Sequence, residues 1–87
     1  MAAVVLSRAA RRELLALDWV LADAVVEALG MLERGTESGH ELRGRLRGLR
    51  SLRVGSYRVI YQLSADGATV RVAAIRHRSV AYESDPG

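Results

Sequence analysis

Most of the chemistry-bearing side chains lie in the second half of this sequence, where arginines recur among β-branched and aromatic residues. Arg47, Arg50 and Arg53 precede a Gly-Ser pair, Arg58 follows it, and Arg76 and Arg78 flank His77. A guanidinium stays charged and binds phosphate oxygens through two parallel hydrogen bonds, but it cannot take up a proton at neutral pH. On a strand such side chains are costly to bury, so they should project into solvent or onto a ligand. Several on one sheet, with Tyr82 just beyond the last strand, suggest a surface that grips phosphates. The alternative is an ordinary solvated surface. His77 is a candidate to handle protons, because imidazole is the side chain suited to proton transfer near neutral pH, although a histidine at a strand end also serves structural roles.

Charge and composition narrow the class. All 13 basic residues are arginine. Residues 1–40 carry a net charge of −2 and residues 41–87 a net charge of +5. A basic half on a small domain points to nucleic acid or an acidic protein partner. With 87 residues, 49% of them hydrophobic, the expectation is a single domain, 1–87, with a modest core and a frayed tail at 83–87. No apolar run reaches the length of a membrane span. The opening Met1 to Leu6 is too short for a signal peptide, which makes the cytoplasm the expected location. There is no cysteine, and His40 and His77 lack metal-ligand spacing, so no metal site is expected.

The elements that must position the arginines read as β-α-α-β-β-β. Ala2 to Leu6 is a candidate edge strand, and Ser7 is a good N-cap for a helix with Ala10, Leu14 and Leu17 on one stripe. Asp18 can cap a second helix with Ala22, Val25, Val26, Leu29 and Leu32 on its apolar face and Gly35 as its stop. Trp19 should sit in the core where the helices meet. The stretch 35–45 has no periodicity and should form a surface loop that leaves His40 exposed. Strands follow at about 49–54, 57–63 and 69–76, joined by turns at Gly55-Ser56 and Asp66-Gly67. The expected class is α+β, a two-helix hairpin on one face of a small antiparallel sheet. Alternation puts Tyr57, Val59 and Tyr61 toward the helices and Ser51, Arg53 and Arg58 on the open face. The last strand is ambiguous: a parity that buries Val70, Val72 and Ala74 would also carry Arg76 inward.

Three segments carry a resemblance to a known family. They are Leu46-Arg47-Gly48, then Leu52-Arg53-Val54-Gly55-Ser56-Tyr57-Arg58-Val59-Ile60-Tyr61, then Ile75-Arg76-His77-Arg78 with Tyr82 four residues on. In this order they resemble the RelE/ParE toxin superfamily of type II toxin–antitoxin systems, over about residues 3–83. The resemblance implies a RelE-like microbial ribonuclease-type fold. It also implies an mRNA endoribonuclease, or mRNA interferase, acting on the ribosome without a cofactor. Arg58 matches the arginine that contacts the scissile phosphate, Arg76 the arginine at the end of the last strand, and Tyr82 the tyrosine that stacks on a base or moves a proton. His77 and Arg78 match the His-Arg pair before it, and Arg47, Arg50 and Arg53 add positive charge for RNA. The implied partners are the ribosome with its mRNA and a small acidic antitoxin, in a hetero-oligomer away from any membrane.

One departure matters. Where ribosome-dependent relatives carry two lysines on the strand before Arg58, this chain has Leu49 and Ser51. Arginine cannot replace lysine as a base, so the proton would fall to Tyr82 or His77. Two other functions therefore stay open: a ParE-like poison of DNA gyrase without nuclease chemistry, and a degenerate toxin that only binds its antitoxin.

Overall fold

Each helix begins at the cap its sequence nominates. In the computed structural model of the chain, which describes residues 2–36 and 38–79, the Ser7 hydroxyl accepts the Ala10 N–H at 3.0 Å and starts α1 (Arg8–Leu15). The Asp18 carboxylate accepts the Leu21 N–H at 2.9 Å and starts α2 (Trp19–Arg34), which stops at Gly35. Such caps satisfy backbone donors that have no partner inside the helix. Ala10, Val25, Leu29 and Leu32 are buried against Val59, Tyr61, Val70, Val72 and Ile75 of the sheet.

The sheet has five strands: β1 (Ala3–Leu6), β2 (His40–Glu41), β3 (Arg50–Val54), β4 (Tyr57–Leu63) and β5 (Thr69–His77), in spatial order β1-β5-β4-β3-β2. The α+β class and the helices on one face are as expected, but two features differ from the sequence reading. The sheet is mixed, because β1 runs parallel to β5, from Ala3 opposite Thr69 to Leu6 opposite Val72. Short turns force β3, β4 and β5 into antiparallel pairs, whereas β1 reaches β5 through a long connection that leaves its direction free. The second difference is β2, where two residues of the presumed loop pair with β3. A two-residue strand is too short to show alternation.

Local chemistry explains the turns. Gly55 has φ +60° while Ser56 does not have a positive φ, the pattern of a type II′ turn that pairs Val54 with Tyr57. In the next turn Asp66 accepts hydrogen bonds from the Ala68 N–H at 2.9 Å and the Ser64 hydroxyl at 2.7 Å, which hold its carboxyl below the usual 3.8.

The ambiguity in β5 is resolved by a bulge. Tyr61 pairs with Val72 and Ile60 with Ala74, so Ala73 has no partner on β4. One extra residue inverts the alternation beyond it. Val70 and Val72 face the helices, Ile75 does so as well, and Arg76 is exposed. The bulged backbone is held from α1's cap, since the Ser7 hydroxyl donates to the Ala73 carbonyl at 2.9 Å.

Trp19 is a correction. It is 80% exposed rather than buried. At about 100° per residue, Trp19 and Val26 lie roughly 100–120° around α2 from Val25, outside the stripe that meets the sheet. Val26 is accordingly 54% exposed.

Candidate nucleic-acid interface

Register places a row of arginines across the open face of the sheet. Arg53 on β3 stands directly opposite Arg58 on β4, and Arg58 directly opposite Arg76 on β5. Two residues along each strand, Ser51, Ile60 and Ala74 form a parallel row, with Ser51 and Ile60 buried. The arginine row thus borders a row whose β3 and β4 members are shielded from solvent. Arg53 Nε donates to the Gly55 carbonyl at 3.3 Å, which holds that side chain near its own turn. The Arg58 side chain makes no hydrogen bond or ion pair among the described residues, so its guanidinium is available to a ligand.

Arg76 behaves differently. Its strand position belongs to the open face, but its Nε donates to Glu13 Oε2 of α1 at 3.0 Å. Glu13 Oε1 accepts the Ile75 N–H at 2.8 Å. One carboxylate thus takes up a free edge donor of β5, beyond the reach of the short β1, and pairs with the neighbouring arginine. Together with Leu17, Tyr57, Ile75 and His77, these two charged residues line an open cleft of about 430 Å³.

The remaining candidates divide between the faces. Arg50 is opposite Tyr61, so it shares the helix side of the sheet, and its Nη2 donates to the Gly39 carbonyl at 2.9 Å. There it pins the segment that Tyr61 also holds: the Tyr61 hydroxyl accepts the Gly39 N–H at 3.0 Å and donates to the Thr36 carbonyl at 2.8 Å. His77 is opposite Tyr57 and so lies on the face away from Arg58. Its ring meets that of Tyr57 edge-on, with centroids 5.4 Å apart. His77 Nδ1 accepts the Ser79 N–H at 3.2 Å, and a backbone N–H can only donate, so the proton of the neutral ring sits on Nε2. Arg47 and Arg78 are exposed, Arg47 in the turn before β3 and Arg78 just past β5. Tyr82 and the tail at 83–87 lie outside the described residues. Among the described residues no group of three or more acidic or histidine side chains is placed to hold a metal.

Sequence reasoning missed three residues. Arg71 lies opposite Gln62 on the open face and is exposed, a position legible from its alternation with Val70 and Val72. His40, exposed as expected, pairs with Ser51 and so shares the arginine face at its far edge. Glu13 carried no local signal, because its partner is 63 residues away.

Comparison with known proteins identifies this architecture. The family model described as the ParE toxin of type II toxin-antitoxin systems, parDE, matches residues 4–82. Toxin RelE of Mycobacterium tuberculosis is 34% identical over 85 residues, which cover 95% of this chain and 88% of that protein. A toxin chain in the RelBE2 toxin–antitoxin complex from the same organism superposes with a TM-score of 0.81 at 37% identity, covering 88% of this chain and 98% of that one. The intact Escherichia coli RelBE toxin–antitoxin complex provides a more distant match, with TM-score 0.77 at 18% identity, 88% of this chain and 96% of that one, and it shares the fold. On this sequence match and this fold, the chain belongs to the RelE/ParE family of toxins of type II toxin–antitoxin systems.

Proposed function

We propose that this toxin is a ribosome-dependent mRNA endoribonuclease that inhibits translation, held in check by a small acidic antitoxin encoded beside it. The observation that carries the reading is the Arg53–Arg58 row, in which the Arg58 guanidinium, on the sheet face opposite the helices, has no partner among the described residues. The proposed reaction is attack of a 2′-hydroxyl on the adjacent phosphate. The P–O bond to the 5′-oxygen breaks, leaving a cyclic phosphate and a 5′-hydroxyl. Charge builds on the non-bridging oxygens in that step, and a fixed guanidinium aimed at them stabilises the transition state. Arg58 takes that role, with Arg53 and Arg71 holding the flanking backbone. Arginine cannot deprotonate the 2′-hydroxyl, and His77 stands behind the sheet with its Nδ1 lone pair occupied. The proton is therefore assigned to Tyr82. The antitoxin, expected in the cytoplasm with its toxin, is supported by the crystallisation of relatives as toxin–antitoxin complexes. Its acidic character complements the basic sheet face.

A second reading, a gyrase poison without nuclease activity, is favoured by one feature. Ser51, at a position where ribosome-dependent relatives carry a lysine, is only 2% exposed and offers no base or charge to RNA. Mapping 5′ ends of cellular RNA after induction separates the two. New ends that vanish with Arg58→Ala support the nuclease; growth arrest with altered DNA supercoiling and no new ends supports the poison. Neither effect would indicate a toxin that only binds its antitoxin.

A further inference from the structure

We infer that Glu13 is a positioning residue for the phosphate-binding row: it holds Arg76 folded over the edge of β5, and a phosphate must displace its carboxylate to recruit that arginine. This rests on the reading of Arg53 and Arg58 as a phosphate site. The geometry is specific. Arg76 stands opposite Arg58 in the register, so its backbone already belongs to the row. Its guanidinium does not, because Nε is bonded to Glu13 Oε2 at 3.0 Å. Glu13 is itself fixed, since its other oxygen accepts the Ile75 N–H at 2.8 Å and it rises from α1, whose cap is tied to the bulge at Ala73. A carboxylate and a phosphate present the same kind of acceptor to a guanidinium. The Arg76 side chain is 46% exposed and its partner 26%, so the pair lies where an incoming anion can compete with it. Two adjacent guanidiniums repel one another in the absence of an anion. Glu13 removes that repulsion in the free protein, and an anion removes it in the complex.

The test uses a single-stranded 2′-O-methyl oligoribonucleotide, which cannot be cleaved, with binding measured across a salt series. Glu13→Gln retains an oxygen for the Ile75 N–H and loses the charge that holds Arg76. The variant should bind about two- to five-fold more tightly at 0.1 M salt, the strength of an exposed ion pair. Its salt dependence should stay close to the parental slope, because Arg76 meets the same phosphate in both proteins once the carboxylate is displaced. The gain should disappear in Glu13→Gln/Arg76→Ala. If the double variant keeps the tighter binding, loss of a negative charge alone explains it and the inference is overturned. Equal binding by parent and Glu13→Gln overturns it as well. Parental binding by Arg58→Ala would instead sink the underlying phosphate-site reading. Should Glu13→Gln fail to fold, the Arg76 Nε–H resonance of the parent decides: it should move on saturation with the oligonucleotide, and an unmoved resonance overturns the inference.

Discussion

Replacing Arg58 should abolish toxicity and slightly stabilise the protein. Arg58 lies in register between Arg53 and Arg76, and like charges directly opposite on a sheet destabilise it. Guanidiniums about 6–8 Å apart in water repel by about 0.5–0.7 kcal/mol per pair. Glu13 offsets the charge of Arg76, so the main relief comes from Arg53. Arg58→Ala should thus gain about 0.6 kcal/mol at low salt, which raises the melting temperature of a domain this small by roughly 2–5 °C. The gain should shrink in 0.5 M salt as screening sets in. The adjacent Val59 supplies the control, because it is fully buried on the helix face. Val59→Ala removes two methyl groups, a transfer loss of about 1.6 kcal/mol. The cavity left behind brings the cost to about 2–3 kcal/mol, a drop of roughly 8–24 °C. Thermal melts by circular dichroism at two salt concentrations, beside growth curves after induction, test the pair. A melting temperature that falls by several degrees in Arg58→Ala would refute the reasoning, since it would make that arginine a structural residue.

Other expectations follow from single contacts. Tyr61→Phe leaves the buried Gly39 N–H without its acceptor and should cost about 1–3 kcal/mol, seen as a lower urea midpoint at unchanged slope; a parental midpoint would show that the network is dispensable. In single-turnover cleavage on ribosomes, Tyr82→Phe should lose roughly 100-fold or more, while His77→Gln should cleave near the parental rate. The opposite pattern would return the proton to His77 against its placement behind the sheet. The depressed Asp66 carboxyl stabilises the fold above its unfolded pKa, and that contribution is lost as pH falls below the usual 3.8. Asp66→Asn should therefore melt below the parent at neutral pH and converge with it in acid, and a gap independent of pH would contradict the assignment.

What was legible in the sequence was local. Ser7 and Asp18 announce helix starts because a cap acts over three residues. Gly55 and Gly67 mark turns through their positive φ. Strict alternation in β3 and β4 places Arg53 and Arg58 correctly on the open face. Two of the misses involve distance along the chain. Whether β1 runs parallel or antiparallel to β5 depends on contacts more than 60 residues apart. Arg50 looked like a ligand for RNA because charge says nothing about which face a strand's first residue joins. Its partner, the Gly39 carbonyl, belongs to a segment without any periodic signal. Trp19 looked like core because a large apolar side chain usually is, yet helical geometry turned it outward.

The bulge at Ala73 acts on β5 as a single inserted base acts on a message: everything downstream is read in the other frame. Residues 69–72 pack beneath the helices in one frame, and residues 74–77 present Arg76 in the other. The two halves of one strand can therefore change independently, the first under the demands of packing and the second under those of the ligand. A continuous register, with Ala73 paired in its turn, would undo this arrangement. It would turn Ile75 out to solvent and drive Arg76 toward the apolar interior, undoing a core contact and a charged site together. In this fold one residue left out of the pairing decides which side of the sheet its neighbours face.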